Sequence, residues 1–166
     1  MIKNIALIGI LGCGKTTVGK ALSEKSGIAF IDLDEYIEKK YNTTINEIFK
    51  QGEDVFRKME TEALKEVSTN IPSIISTGGG VIKKQENMEI LKENSIIIFI
   101  NRPIDNIAAD IDISFRPLLA EGPSKLYSLY KERYPLYKKY ADYEIINDKD
   151  VDSIVNEIMK LIKEVL

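Results

Sequence analysis

The run from Gly9 to Thr16, Gly-Ile-Leu-Gly-Cys-Gly-Lys-Thr, carries the clearest chemical signal in the sequence. It fits the pattern G-x-x-x-x-G-K-S/T, in which a glycine-rich loop between a strand and a helix wraps its backbone N–H groups around phosphate. The lysine of such a loop supplies a point charge to the outer phosphates, and the Ser or Thr hydroxyl can ligate Mg²⁺. The predicted nucleotide-binding residues are Gly12, Cys13, Gly14, Lys15, Thr16 and Thr17.

Two carboxylates, Asp32 and Asp34, follow the apolar run from Ile28 to Ile31. If the strand continues through them, their side chains point the same way, so one can hold Mg²⁺ while the other accepts the proton of a hydroxyl. Open α/β sheets bind ligands at the carboxyl ends of their strands, which would bring this pair beside the phosphates. The alternative is a solvated strand end in which an Asp caps the next helix.

The composition restricts the chemistry further. The 166 residues include no histidine and one cysteine, which excludes a His base, a His-ligated metal and an intramolecular disulfide. The 23 basic and 26 acidic side chains give a net charge of -3, which argues against nucleic acid or an anionic membrane as a partner. Neither a signal-peptide pattern nor an apolar run of membrane-spanning length is present, so we expect a cytoplasmic protein.

Apolar patterning indicates the elements that position these residues. Short apolar or β-branched runs alternate with helical spacing, as from Phe56 to Val67 and from Val151 to Val165, which is typical of βαβ units around a parallel sheet. We predict an α/β fold of three layers, with a central five-stranded parallel sheet, in a single domain spanning 1–166. The expected strands are Ile2 to Ile8, Ile28 to Ile31, Ile71 to Thr77, Ser95 to Ile100 and Tyr143 to Ile146.

Two segments interrupt this alternation. Residues 33–68 should hold more than one helix, because Thr44 and Glu47 form a capping-box pattern and Gly52 separates that helix from the next. Residues 101–125 are rich in proline and acidic in the middle, which predicts a long irregular connection of a functional kind.

Three arginines and a run of glycines complete the candidate residues. Arg57 has Glu60 three residues later, and by itself this spacing favours an exposed ion pair on a helix. Arg116 and Arg133 are equally ambiguous when each is taken alone. The run from Gly78 to Gly80 is more informative, because three consecutive glycines cost chain entropy without any packing return. Something must therefore approach this backbone closely.

In combination, these motifs resemble the shikimate kinases in kind and in order, over nearly the whole chain. The triple glycine with R-P-L-L and R-x-P-L-Y carries the specificity, because many families share the phosphate-binding loop and D-x-D is weak. Besides that loop, the matching motifs are Asp32-x-Asp34, Gly52-Glu53-x-x-Phe56-Arg57-x-x-Glu60, Ser76-Thr77-Gly78-Gly79-Gly80, Arg116-Pro117-Leu118-Leu119 and Arg133-x-Pro135-Leu136-Tyr137-x-x-x-Ala141-Asp142.

The resemblance implies a P-loop kinase fold like that of nucleoside monophosphate kinases. It also implies an ATP-dependent phosphotransferase that moves the γ-phosphoryl group of MgATP to the 3-hydroxyl of shikimate, in the biosynthesis of aromatic amino acids. On the acceptor side, Arg57 and Arg133 would clamp the shikimate carboxylate. Asp34 would bind ring hydroxyls and is the candidate base. The backbone N–H groups that approach shikimate and the γ-phosphate would belong to Gly78, Gly79 and Gly80.

On the donor side, the resemblance implies that Asp32 assists Thr16 in holding Mg²⁺. Lys15 and Arg116 would bind ATP and neutralise charge on the transferring phosphoryl group, which makes them catalytic residues together with Asp34. Because phosphoryl transfer depends mainly on alignment and charge stabilisation, no histidine is needed.

The resemblance also assigns the two interruptions of the fold. Residues 33–61 would be the shikimate-binding flap, and residues from about 103 to 119 the lid that covers ATP and excludes water. The family usually has another basic residue before R-P-L-L that stacks on adenine, but residues 108–115 contain none. We expect apolar packing to replace that contact and ATP to bind more weakly.

Several alternatives stay open at the level of sequence. A kinase of the same class could act on gluconate or on a nucleoside monophosphate, although gluconate kinases lack R-P-L-L with R-x-P-L-Y. A non-catalytic nucleotide-binding regulator would have little use for Asp34, and a GTPase would need D-x-x-G and N-K-x-D, which do not occur. Whether Asp34 removes the proton or only orients the hydroxyl is also open. A monomer is expected, since no sustained heptad pattern is present.

Overall fold

A computed structural model describes residues 3–110 and 123–165. In this part of the chain, five strands form one parallel sheet in the order β2-β3-β1-β4-β5. The strands are β1 Asn4–Ile8, β2 Ala29–Asp32, β3 Ser73–Ser76, β4 Ser95–Asn101 and β5 Tyr143–Ile146. Each predicted strand is present, with ends that shift by a few residues.

Helices connect the strands and cover the sheet. They are α1 Lys15–Ser26, α2 Leu33–Tyr41, α3 Ile45–Lys50, α4 Glu53–Val67, α5 Gln85–Asn94, α6 Ile104–Asp110, α7 Pro123–Tyr140 and α8 Val151–Val165, with a short 3₁₀ helix at Val81–Lys83. Helix α1 packs against α8, whereas α5 packs against α4 and β4. Among the described residues, no helix is long and apolar enough to cross a bilayer.

The three central strands are buried throughout most of their length, as their apolar sequences predict. Every residue of β1 and β3 is buried, and in β4 only the last residue, Asn101, is partly exposed. The edge strand β2 is partly exposed. Parallel strands covered on both faces have this pattern, and the β1 register with both neighbours aligns their carboxyl ends at one edge of the sheet.

The segment after β2 contains three helices, because capping residues start each one. Asp32 accepts a hydrogen bond from the backbone N–H of Glu35 at 3.1 Å and thereby begins α2. Thr44 accepts from the N–H of Glu47 at 3.2 Å and begins α3, and Gly52 precedes α4 with a φ of 117°. The strand therefore does not continue to Asp34, and the expectation that the two aspartates share strand geometry is wrong.

The connection after β4 is more regular than its sequence suggests. Residues 104–110 form helix α6 instead of the expected irregular connection, because the backbone N–H groups of Asn106 and Ile107 bond to the Pro103 carbonyl at 3.0 and 3.2 Å. Proline is compatible with the start of a helix, and the buried Ile107 anchors this one. Most of the predicted lid, including Arg116, lies outside the described residues.

Candidate active site

The phosphate-binding loop joins β1 to α1 at the carboxyl edge of the sheet. Glycine is required at its ends for steric reasons. A Cβ on Gly9 would lie 2.6 Å from the Ile100 carbonyl oxygen, and one on Gly14 would lie 2.7 Å from the Asn147 side-chain nitrogen. Gly14 also precedes α1 with a φ of 100°, in the left-handed region that favours glycine. The loop is therefore packed against β4 and against the segment after β5.

Lys15 is buried within this loop. Its Nζ donates hydrogen bonds to the carbonyl oxygens of Gly9 and Ile10 at 2.7 and 3.1 Å, and lies 3.5 Å from the Cys13 Sγ. The Cys13 side chain is fully buried, and its carbonyl accepts a hydrogen bond from Asn147 Nδ2 at 2.8 Å. The loop thus holds its own lysine with backbone acceptors.

Thr16 and Asp32 come together as a pair of hard oxygen donors. The Thr16 hydroxyl donates to Asp32 Oδ2 at 2.8 Å and lies 3.4 Å from the Ser76 hydroxyl. The other oxygen of Asp32 caps α2, so this carboxylate serves both of the roles considered from the sequence. Within the described ranges no cluster of three or more His, Cys, Asp or Glu side chains could hold a metal. One hydroxyl and one carboxylate fit Mg²⁺, which takes few protein ligands and completes its shell with phosphate and water oxygens.

A cavity of about 290 Å³ lies over the loop, and we call it the phosphate cavity. Residues that line it from the loop and α1 include Gly12, Gly14, Lys15, Thr16 and Thr17. Its other walls come from β2 with the start of α2, from the end of β3, and from Arg102 after β4. The predicted phosphate-binding residues therefore surround one space, apart from the Cys13 side chain.

A larger cavity of about 510 Å³, the acceptor cavity, adjoins the phosphate cavity. It is lined by Asp34 from α2, Arg57 from α4, Arg133 from α7 and the glycine run after β3. The wall shared by the two cavities consists of Leu11, Thr16, Asp32, Asp34, Gly78 and Gly79. A phosphate in one cavity and an acceptor in the other would therefore meet beside Asp34.

Arg57 is held by carboxylates on both sides. Its guanidinium bonds to Glu60 at 2.9 Å and to Glu53 at 3.2 Å, and Glu53 also pairs with Lys83 at 2.7 Å. Arg57 is 6% exposed and Glu60 fully buried, so the exposed pair that the spacing favours is instead internal. Burial raises the pKa of Glu60 above its ordinary value, and the nearby Asp34 adds to this, although Arg57 opposes it.

Arg133 approaches the same cavity from the opposite helix. It is 2% exposed, and its Nε lacks a hydrogen-bond partner among the described residues. No carboxylate in that part of the chain forms an ion pair with it. A buried guanidinium that forms no ion pair with the described residues, and that lines a cavity, is suited to an anionic ligand.

The glycine run answers the question that its sequence raises. A Cβ on Gly80 would lie 2.1 Å from Arg57 Nη2, and one on Gly78 would lie 3.0 Å from Glu60 Oε2 and 3.2 Å from Asp34 Oδ1. A Cβ on Gly79 would lie 3.1 Å from the backbone nitrogen of Leu11. The groups that approach this backbone are therefore the charged side chains of Arg57, Glu60 and Asp34 and the phosphate-binding loop itself.

Three residues take part in the site without a role predicted from the sequence, although Tyr137 belongs to the R-x-P-L-Y motif. The Tyr137 hydroxyl donates to the Gly79 carbonyl, and its ring stacks on Phe99 with centroids 5.0 Å apart. Asn147 holds the Cys13 carbonyl, and Arg102 reaches the phosphate cavity. Arg102 could have been found from its place directly after a buried strand, at the edge where ligands bind. Contacts of Tyr137 and Asn147 join segments remote in sequence and leave no local pattern.

Comparisons with known proteins are consistent with this geometry. A family model described as "Shikimate kinase" matches residues 11–163. The shikimate kinases of Clostridium botulinum (strain Alaska E43 / Type E3) and Clostridium beijerinckii (strain ATCC 51743 / NCIMB 8052) are 48% and 49% identical over 162 residues. Each alignment covers 98% of this chain, and they cover 98% and 96% of the two relatives.

Among solved structures, "Shikimate kinase from Acinetobacter baumannii in complex with shikimate" superposes with a TM-score of 0.93 at 36% identity. The superposition covers 99% of this chain and 94% of that chain. Together with the order and direction of the strands, it confirms the predicted α/β fold with a central five-stranded parallel sheet.

Proposed function

The chain belongs to the shikimate kinase family, and on that premise we propose that it transfers the γ-phosphoryl group of ATP to shikimate. The products would be ADP and shikimate 3-phosphate, a step towards chorismate and the aromatic amino acids. The observation that carries the proposal is the wall shared by the phosphate and acceptor cavities. It would bring donor and acceptor together in one orientation, which phosphoryl transfer requires above all.

Arg57 and Arg133 are the proposed clamp for the shikimate carboxylate. Two guanidinium groups facing one cavity can bind the two oxygens of a carboxylate through paired hydrogen bonds. Arg133 has no carboxylate partner among the described residues, so it can offer more of its charge to a ligand than Arg57 can. A neutral polyol would leave this buried charge uncompensated, which favours an acid as the acceptor.

Asp34 is the proposed contact of the reacting hydroxyl, because it lines both cavities. A carboxylate there can accept the hydroxyl proton as the oxygen bonds to phosphorus. The backbone N–H groups of Gly78, Gly79 and Gly80 can approach the same region because no side chain lies in between. Whether Asp34 removes the proton early or only orients the hydroxyl is a matter for the Asp34→Asn variant: nearly full turnover would eliminate a base role.

Lys15, Thr16 and Asp32 are the proposed donor-side residues. When ATP binds, Lys15 would exchange its loop carbonyls for the outer phosphates, and Thr16 and Asp32 would hold Mg²⁺. The metal would supply charge neutralisation to the phosphates. Arg116 as a further catalytic cation is part of the same proposal.

The predicted flap at 33–61, the lid at about 103–119, a monomeric state and a cytoplasmic location also belong to the proposal. The flap assignment is supported by the acceptor cavity, to which α2, α3 and α4 all contribute lining residues, such as Asp34, Phe49 and Arg57. The polypeptide would then act on two small molecules, with neither nucleic acid nor membrane as a partner.

The test is release of ADP from MgATP with shikimate, gluconate, AMP or no acceptor. We expect turnover with shikimate alone. Turnover with gluconate or AMP instead of shikimate would show that the acceptor is a different molecule. ATP binding without ADP release in any mixture would indicate a nucleotide-binding regulator. The control is Asp34→Asn with shikimate, in which ATP affinity should persist while turnover falls.

A further inference from the structure

Arg102 lies at the boundary between two cavities on the nucleotide side of the site. It directly follows β4, and its side chain lines the phosphate cavity and also a third cavity of about 390 Å³. The third cavity lies beyond the loop, where it is bordered by Gly14, Thr17 and Asn147. A ligand that extends from the phosphate-binding loop into this space must pass the guanidinium of Arg102.

Two acceptors of the protein hold this guanidinium in place. Nη1 donates to the Gly12 carbonyl of the phosphate-binding loop at 3.2 Å, and Nη2 forms an ion pair with Asp110 at the end of α6. The Arg102 side chain is 25% exposed and the Asp110 side chain 63% exposed. An exposed ion pair of this kind is weak, so a ligand can exchange with Asp110 at small cost.

The charge balance of the described lining of the phosphate cavity favours such a cation. Within its described lining, Lys15 and Arg102 are the basic side chains, and Asp32 and Asp34 are the acidic ones. Lys15 is already held by carbonyl oxygens of its own loop. A polyphosphate therefore meets a cavity without net positive charge, and a planar guanidinium with several donors is the group best suited to its oxygens.

We propose that Arg102 binds the phosphate chain of the nucleotide, and that Asp110 occupies its guanidinium until a phosphate displaces the carboxylate. This inference builds on the proposed function, since it assumes that the nucleotide is the phosphoryl donor. The contact is made with the inner phosphates, α or β, because the γ-phosphate must lie at the wall shared with the acceptor cavity, to which Asp34 contributes and Arg102 does not. Arg102 thereby supplies a cation on the nucleotide side, where residues 108–115 contain no basic residue.

The two members of the pair then have opposite effects on affinity. Removing Arg102 removes a phosphate contact, whereas removing the charge of Asp110 removes a competitor for that contact. If the pair were only a structural link between the β4 end and α6, both changes would act in the same direction or not at all. The direction of the Asp110 effect therefore separates ligand binding from structural support.

The experiment measures equilibrium binding of adenosine, ADP and ATP to the wild-type protein, Arg102→Ala, Arg102→Lys and Asp110→Asn. A lost charge-assisted hydrogen bond predicts about ten-fold weaker ATP and ADP binding in Arg102→Ala. Arg102→Lys should recover part of that loss. Release from an exposed ion pair predicts about two- to five-fold tighter ADP and ATP binding in Asp110→Asn. Adenosine affinity should not change in any of these variants.

Lys65→Ala is the matched control, because Lys65 forms an exposed ion pair with Glu86 away from the cavities. Its nucleotide affinities should equal those of the wild type. Unchanged ATP affinity in Arg102→Ala, weaker binding in Asp110→Asn, or an equal loss of adenosine would overturn the inference. The inference would also be overturned if the wild-type protein bound no ATP.

Shikimate-dependent ADP release, measured on the same samples, separates this inference from the proposed function. Arg102-dependent binding of ATP without any turnover of shikimate would refute the proposed function and leave the phosphate contact standing. Turnover of shikimate with an ATP affinity that is unchanged in Arg102→Ala would refute the phosphate contact and support the proposed function.

Discussion

The acceptor and phosphate cavities share a wall but hold their cations in different ways. In the acceptor cavity, Arg57 is fixed by buried or half-buried carboxylates, and Arg133 is buried without a carboxylate partner in the described chain. In the phosphate cavity, Lys15 is held by loop carbonyls and Arg102 by a carbonyl and by the exposed Asp110. The cations of the acceptor cavity are held in place by burial, and those of the phosphate cavity by contacts that a ligand can replace.

This difference follows from what each cavity is proposed to bind. A small rigid acid gains affinity when its clamp is already in position, because little side-chain entropy is lost on binding. A nucleotide with its metal is larger and brings several phosphate oxygens, which can substitute for the carbonyl and carboxylate oxygens already in place. The contrast predicts that substitutions on the acceptor side alter activity mainly by displacing groups, whereas substitutions on the donor side alter nucleotide affinity mainly by changing charge.

The Gly80→Ala variant would test the geometric side most severely. A Cβ there would lie 2.1 Å from Arg57 Nη2, so the guanidinium must leave its present position. Because a displacement of about 1 Å can cost about 100-fold in rate, we expect kcat/KM for shikimate to fall by about that factor. ATP affinity should stay near the wild-type value, as measured by direct titration.

Gly27→Ala is the matched control for that substitution. Gly27 ends α1 with a φ of 75°, but a Cβ there would meet nothing within 4 Å. This variant should lose about 1 kcal/mol of stability from backbone strain and keep its kcat/KM. If Gly80→Ala kept its kcat/KM as well, Arg57 would not be fixed in the way that the acceptor cavity requires.

Arg133→Lys separates geometry from charge on the acceptor side. The positive charge stays, but the planar fork that can bind a carboxylate through two hydrogen bonds is lost. Loss of one charge-assisted hydrogen bond predicts a KM for shikimate about ten-fold higher or more, with an unchanged KM for ATP. Equal increases in both constants would show that Arg133 does not belong to the acceptor cavity alone.

The features predictable from the sequence are those whose cause is local. The run from Gly9 to Thr16 is recognisable because all groups that bind phosphate come from consecutive residues, and the buried strands are recognisable because both of their faces are apolar. Thr44 and Glu47 gave the start of α3 for the same reason.

Features that depend on distant partners were not predictable in the same way. Arg57 and Glu60 have the spacing of an ordinary surface pair, and only the packing of the glycine run against them makes the pair internal. The direction of Asp34 was mistaken because Asp32, a good helix cap, ends the strand two residues before Asp34. Arg102 gains its role from the cavity beside it, and only its place directly after a buried strand could have indicated this role.

Tyr137→Phe tests how the glycine run itself is held. The substitution removes the hydrogen bond to the Gly79 carbonyl but keeps the ring on Phe99. One lost hydrogen bond predicts about 1 kcal/mol of lower stability, with a several-fold higher KM for shikimate. Tyr134→Phe is the control, since its ring also contacts Phe99 while its hydroxyl makes no hydrogen bond within the described residues. Matching losses in the two variants would contradict a role for the Gly79 bond.

The smallest expected effect is a pH dependence of the stability, caused by the burial of Glu60 beside Arg57. The pKa of Glu60 is raised above its ordinary value of 4.5, chiefly by burial, so the unfolded chain releases this proton before the folded one does. Stability of the wild type relative to Glu60→Gln should therefore fall as the pH rises from about 4.5 through the folded pKa, as followed by urea unfolding.

Glu66→Gln should give the opposite trend, because the hydrogen bond from Lys40 lowers the pKa of Glu66 in the fold. There the wild type should gain stability relative to the variant as the pH rises towards and past 4.5. A constant offset in Glu60→Gln, from the exchange of a carboxyl group for an amide, does not affect this test, since only the slope reports the titration. If the Glu60 slope had the same sign as the Glu66 slope, the pKa of Glu60 would be lowered in the fold. The attraction of Arg57 would then outweigh the effect of burial, and ion pairing would be the main force that fixes Arg57 in the acceptor cavity.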